Sequence, residues 1–296
     1  MKFSRKVLVL VLIIGVAVGI VWMWERWGRW ERGDKKGIEV QEIAQKPIKF
    51  AVMSDIHSDW GNLRKALEKA KGEMGEEGDK GKKGFIIVTG DLTTLGKKDE
   101  LREAKKILDD SGLKYYVIPG NHDIWWGRKY KKDVWREVFG ESFMSFKIDA
   151  KPQSGKASQI KFILINNADA VGGIEGLEGT EGQEGWLKKE TEECLRIYCL
   201  VFMHMPLNHP TSLHIMGEGN AKVASEAGGI MEILKNNGVR EIFAGHLHFS
   251  SSYELDGLKT NIVGAVTSER NFQSPKFLEV SAQNGNIKQE EVFVAD

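Results

Sequence analysis

Val117 to Asp123 reads VIPGNHD, an apolar run that breaks abruptly into Gly120, Asn121, His122 and Asp123. A buried strand that ends this way delivers reactive side chains to the edge of a sheet. The same four residues also make an ordinary polar turn, with glycine and asparagine serving backbone conformation. Whether other strands end in the same manner decides between the two readings.

They do. Pro47 to Val52 leads into Ser54, Asp55, Ile56 and His57, and Phe85 to Val88 into Thr89, Gly90 and Asp91. Ile197 to Met203 ends in His204, Met205 and Pro206, and Glu241 to Ala244 in Gly245, His246, Leu247 and His248. A further strand, Ile160 to Ile165, ends in Asn166 and Asn167. Helical spacing occupies residues 62–70, Asp99 to Leu108, Val134 to Phe139, Trp186 to Leu195 and Ile230 to Asn236, with Gly238 as the last stop. Asp256-Gly257 and Asn284-Gly285 sit between alternating segments and predict hairpins. Strands alternating with helices, then antiparallel hairpins, predict a layered α/β domain with mixed sheets. Lys71 to Gly84, rich in glycine and charge, reads as a surface loop, and the acidic run Val171 to Gly185 as a flexible loop or a lid.

Carboxylate, imidazole and amide side chains are the oxygen and nitrogen ligands that Mn, Fe and Zn accept. Placed on neighbouring strand ends, they converge where rigid backbone fixes their geometry. Taken singly, Asp-x-His or Gly-Asp is an ordinary cap or turn; five such blocks in order, each directly after an apolar strand, point to one site. His246 and His248 face the same side if the chain is extended, whereas in a helix they would diverge by about 200°. Gly120 and Gly245 let backbone pass close to such a site, or serve simply as turn glycines.

The set DIH, GD, GNHD, the His of FMHMP and GHLH resembles the calcineurin-like metallophosphoesterase superfamily over roughly residues 48–270, most of all its bacterial phosphodiesterase branch. The resemblance implies two mixed β-sheets in a sandwich flanked by helices. It implies two divalent or trivalent metal ions, Mn, Fe or Zn. One would be held by Asp55, His57, Asp91 and His248, the other by Asp91, Asn121, His204 and His246. A metal-bound hydroxide would attack phosphorus in line. His122 would stabilise the phosphoryl group and protonate the leaving oxygen, with Asp123 orienting its ring. The implied activity is hydrolysis of a phosphate mono- or diester, of a small molecule or a lipid. Two rivals stand beside it: a non-catalytic metal-binding interaction module, which should have lost ligands, and a nuclease, which should have a basic groove.

The first 46 residues carry a different signal. Residues 1–6 form a basic head with Lys2, Arg5 and Lys6, and residues 7–24 run without a charge. At about 1.5 Å per residue that run just spans a bilayer core of about 30 Å, and Trp22, Trp24, Trp27 and Trp30 suit an interfacial belt. Residues 7–24 are therefore expected to be an uncleaved transmembrane anchor, 25–46 a juxtamembrane linker and 47–296 the metallophosphoesterase domain. Ala17, Val18 and Gly19 offer a cleavage site as the competing reading. Basic residues on both sides of the span leave its orientation divided, and the short basic head favours an extracytoplasmic domain.

Lys plus Arg and Asp plus Glu each number 42, which weighs against a nucleic-acid partner. Cys194 and Cys199 lie in one segment and fit neither a disulfide framework nor a zinc ribbon, so both are expected as small apolar residues. His209 and His214 follow the His204 block and are candidates for substrate contact. Trp125, Trp126 and Arg128 either wall the site or pack beneath a loop, and Asp59 reads as a helix cap.

Overall fold

Strand β1 (Ile48–Met53) turns Phe50 and Val52 to one side and Ala51 and Met53 to the other, and all four are buried. A strand apolar on both faces must lie between two layers. The computed structural model, which describes residues 47–73, 84–150, 158–169, 182–283 and 286–295, supplies both.

On one side of β1 lies β2 (Phe85–Val88), parallel to it, followed by β3 (Lys114–Val117), parallel to β2. The second sheet is built from β4 (Met144–Ala150), β5 (Ser158–Leu164), β6 (Tyr198–Met203), β7 (Glu241–Ala244), β8 (Ser251–Leu255) and β9 (Leu258–Ile262). Its order is β4-β5-β6-β7-β9-β8; the four inner strands are parallel and the two edge strands antiparallel to their neighbours. The chain then returns as β10 (Lys276–Gln283) and β11 (Asn286–Phe293), which complete the first sheet on the other side of β1, in the order β11-β10-β1-β2-β3.

The sheets meet across an aromatic seam. The Phe50 ring lies 5.4 Å from Phe85 in its own sheet and 5.3, 6.1 and 6.5 Å from Phe162, Phe202 and Phe243 of the other, edge-on to the last three. Such edge-to-face contacts are favoured between ring quadrupoles. Outside the first sheet pack α1 (Trp60–Glu73) and α2 (Lys98–Asp110), whose Leu63, Ala66, Leu101 and Leu108 join Ala51 and Met53. α3 (Asn121–Tyr130) and α4 (Val134–Phe139) follow β3. α5 (Gly182–Thr191) and α6 (Ala221–Asn236) cover the second sheet, where Val223, Ile230 and Leu234 meet Val201, Met203 and Ile242. This is the expected α/β sandwich of two mixed sheets flanked by helices.

The structure departs from the sequence reading at several points. The Gly-Asn-His-Asp tetrad opens a helix: Gly120 caps it, and Asp123 at its third position returns a carboxylate to the Gly120 N–H at 2.9 Å. Helix α6 starts at Ala221, ahead of the apolar signal at Ile230, because the Asn220 side chain accepts from the N–H groups of Lys222 and Val223. The cysteines are corrected outright, because Cys194 and Cys199 form a disulfide. The 3-10 turn Glu192–Leu195 folds back into β6 and brings their Cα atoms to 5.4 Å, within bridging reach. The expected span at 7–24 with its flanks, most of the loops 71–84 and 171–185, and the turn at 284–285 lie outside the described residues. Among the described residues no helix is long and apolar enough to cross a membrane.

Candidate metal centre

Because β1, β2 and β3 are parallel, as are β6 and β7, their C-terminal ends lie together within each sheet. The turns that follow are laced to one another. The N–H groups of Asp55 and His57 donate to the carbonyls of Gly90 and Asp91 at 3.1 and 2.9 Å, and the His246 N–H donates to the Asp55 carboxylate at 3.0 Å. Asp55, His57, Asp91, His246 and His248 all hold positive φ, between 47° and 72°. The left-handed region costs a non-glycine residue on the order of 1 kcal/mol or more, and such strain gathers at functional sites that the surroundings over-determine.

The side chains form two groups that share Asp91. Ligating atoms of Asp55, His57, Asp91 and His248 lie within 4.8 Å of one another, as do those of Asp91, His204 and His246. In the first group the Nε2 atoms of His57 and His248 are 3.0 Å apart, and each is 3.5 Å from a carboxylate oxygen, of Asp91 and Asp55 respectively. In the second, His204 Nε2 lies 3.0 Å from Asn121 Oδ1, 3.3 Å from Asp91 Oδ2 and 3.3 Å from His246 Nδ1. The structure thus brings together all seven side chains expected at the centre.

These residues fit a pair of cations. Two imidazole nitrogens 3.0 Å apart can share at most one proton, while buried carboxylates converge on the same space. His248 Nδ1 is buried without a hydrogen-bond partner among the described residues. Nitrogen and oxygen donors with no sulfur suit Mn, Fe or Zn. His204 Nδ1 donates to the Thr89 carbonyl at 2.9 Å, which fixes the ring and leaves Nε2 for the centre.

Electrostatics sort the imidazoles. Burial lowers His57 to about 4, although Asp91 and Asp55 pull the other way. Burial and the neighbouring His204 hold His246 well below its ordinary value, so both rings are neutral and ready to ligate. Burial also works against His204, but the Asp91 carboxylate outweighs it and pushes the ring up to about 9. Asp91 is held below the usual carboxylate range by His204 despite complete burial.

The supporting roles differ from the expected ones. Asp123 does not orient His122. Its carboxylate accepts from the N–H groups of Gly120, Leu92 and Thr93 and from the Thr93 hydroxyl, at 2.8 to 3.1 Å. It ties the turn after β2 to the start of α3, and burial together with Asp91 raises it to about 6. The His122 ring is held instead by the Thr94 carbonyl, at 2.7 Å from Nδ1, while the His122 backbone N–H donates to Asp91 Oδ1 at 2.9 Å. A helix-opening aspartate is drawn to backbone N–H groups, which leaves it no lone pair facing the ring.

Gly120 supplies space. Its φ of −99° suits any residue, but an added Cβ would lie 2.1 Å from Asp91 Oδ1. Gly245 likewise makes room for Ser54 and Asp55. Asn167, read only as a strand-end residue, is a buried clamp: its Oδ1 accepts from the N–H groups of His204 and Met205, and its Nδ2 donates to the Met205 carbonyl. Its position just past β5, beside the strand that delivers His204, was the available signal. His214 stacks on His246 with centroids 4.2 Å apart and donates to Glu218 at 2.6 Å. His209 instead packs on Tyr253 and accepts from the Ser212 N–H, as a turn residue. Trp126 packs against Tyr130, Arg128 pairs with Asp169, and Asp59 caps α1 through the Asn62 N–H.

The sequence model of the family described as calcineurin-like phosphoesterase matches residues 48–250, which take in every residue of this centre. The chain belongs to the calcineurin-like phosphoesterase family. No curated protein matches it in sequence. Among solved structures it is similar to GAP50, the anchor in the inner membrane complex of Plasmodium, with 13% identity, a TM-score of 0.58 and 85% and 86% of the two chains covered. It is similar to a dimetal phosphatase from Danio rerio, with 14% identity, a TM-score of 0.54 and 84% and 97% covered. It is also similar to the purple acid phosphatase PPD1 from yellow lupin, with 11% identity and a TM-score of 0.56, over 85% of this chain and 52% of that one. At these identities the likeness is one of fold. As a calcineurin-like phosphoesterase, this chain keeps the two-sheet sandwich with a site at the strand ends.

Proposed function

We propose that the protein is a dinuclear-metal phosphoesterase that hydrolyses a phosphate mono- or diester, with the two groups meeting at Asp91 as the observation that carries the reading. Held by Asp55, His57, Asp91 and His248 and by Asp91, Asn121, His204 and His246, two cations would neutralise phosphoryl oxygens and lower the pKa of an attacking water. His122 completes the site from the side. Its Nδ1 proton is committed to Thr94, so a second proton taken up by the ring sits on Nε2, and the resulting imidazolium is the form that gives a proton to the leaving oxygen. His122 is partly exposed while His57, Asp91, His204 and His248 are buried, which suits a group that meets substrate.

The proposal extends to location. A single N-terminal span over residues 7–24 would anchor the domain on the extracytoplasmic side. The Cys194–Cys199 disulfide supports that orientation, because disulfides persist in oxidising compartments and are rare in reducing ones. A periplasmic or extracellular reporter fused at the C-terminus should be active, and a silent one would place the domain inside. For activity, the test is hydrolysis of mono- and bis-p-nitrophenyl phosphate by the full-length chain with Mn and with chelator. Metal-dependent release of nitrophenol from either ester is the expected result; none from both returns the protein to the non-catalytic reading.

A further inference from the structure

Helix α3 carries the chain away from the centre along an aromatic and basic surface. One helical turn after His122 stands Trp125, 49% exposed, and Arg128, Lys129, Tyr130, Lys131 and Lys132 beyond it are all exposed. Lys129 Nζ lies 5.5 Å from the Trp125 ring centre and 5.7 Å from that of Tyr130. Arg128 is paired with Asp169 at 2.7 Å, so the positive excess of this surface rests on three lysines.

Two other apolar side chains stand out at the site. Leu213 and Phe272 are 82% and 81% exposed. Leu213 precedes His214, whose ring stacks on His246, and the Phe272 N–H donates to the His248 carbonyl at 3.3 Å. Trp125 is thus three residues from His122, Leu213 is next to the histidine stacked on His246, and Phe272 is hydrogen-bonded to His248. One exposed apolar side chain is ordinary, but three around one polar site, beside a basic aromatic helix, suit a partner with an apolar interior. Tryptophan, tyrosine and lysine together are the side chains that settle at a bilayer interface, with lysine reaching anionic headgroups. A single-stranded nucleic acid would engage the lysines and stack bases on Trp125 and Phe272, but it would leave Leu213 without a role.

We infer that Trp125 to Lys132, with Leu213 and Phe272, dock on an anionic lipid bilayer and set the mouth of the centre against lipid headgroups. The substrate class that follows is the phosphoester of an amphiphile; this last step rests on the proposed phosphoesterase activity, whereas the docking does not.

The test is hydrogen exchange on the full-length chain, reconstituted into nanodiscs of phosphatidylcholine alone or with about one-third phosphatidylglycerol. Both discs hold any N-terminal anchor equally, so the comparison isolates the surface. Exchange in residues 125–132 should slow in the anionic discs relative to the neutral ones, with α2 unchanged. The double variant Lys129→Glu, Lys132→Glu should reduce that protection at least about tenfold while hydrolysing a soluble ester as the parent does. Equal exchange in both discs would overturn the inference, as would protection by single-stranded nucleic acid but not by anionic discs. If the lipid-dependent protection holds and no soluble ester is hydrolysed, docking stands and the phosphoesterase reading falls.

Discussion

His122 Nδ1 donates a 2.7 Å hydrogen bond to the carbonyl of Thr94, and among the described residues no carboxylate shares that proton. The ring is positioned by backbone, so its tautomer is set by the fold of the turn after β2.

His122→Ala should therefore lower kcat by about two to four orders of magnitude, the range for loss of a positioned acid. Both metals should stay bound, because His122 lies outside the two groups. Steady-state kinetics paired with metal analysis check this; a variant of full activity, or one that has lost metal, contradicts the assigned role.

Asp123→Ala should act on stability first. It would leave buried N–H groups of Gly120, Leu92 and Thr93 without their acceptor, at about 1–3 kcal/mol for each that finds no new partner. Chemical denaturation reads the loss directly. A variant as stable as the parent but slow in turnover would restore the role first expected of Asp123, orienting the ring.

Acid should weaken the domain through a second buried cluster. Lys161, almost wholly buried, meets Glu190 at 2.7 Å and Glu193 at 2.6 Å. Burial alone would raise Glu190, but Lys161 and Ser145 hold it below the ordinary glutamate value; Lys147 and Lys161 do the same for Glu193. Groups depressed in the folded state contribute stability above their unfolded pKa, about 4.3 for glutamate, and lose it as pH falls through the folded value. Urea midpoints measured from pH 6 to pH 3 should thus fall more steeply for the parent than for Lys161→Met. Parallel slopes would show that the cluster carries no such linkage.

Much of this was legible because apolar runs and their polar endings are local. Phe85–Val88 and Glu241–Ala244 match the strands to the residue, and the seven ligand candidates are the side chains that converge. What escaped depends on contacts between distant segments. Thr94 and His122 are 28 residues apart and Asn167 and His204 are 37, and a backbone carbonyl leaves no trace in residue type. Edge strand β4 pairs with β5, Met144 against Leu164, and its sequence MSFKIDA alternates apolar and polar residues throughout, a strand signal that was legible and was passed over. The disulfide was missed because its partners are five residues apart, a spacing that a helix would hold open and the turn closes.

Asp91 as the residue joining two metal sites is checked by metal content after saturation with Mn and removal of excess. Two equivalents per chain are expected, with at least one lost in Asp91→Ala while the His122→Ala protein keeps both. A parent chain that retains a single equivalent, or an Asp91→Ala chain that retains two, would contradict it.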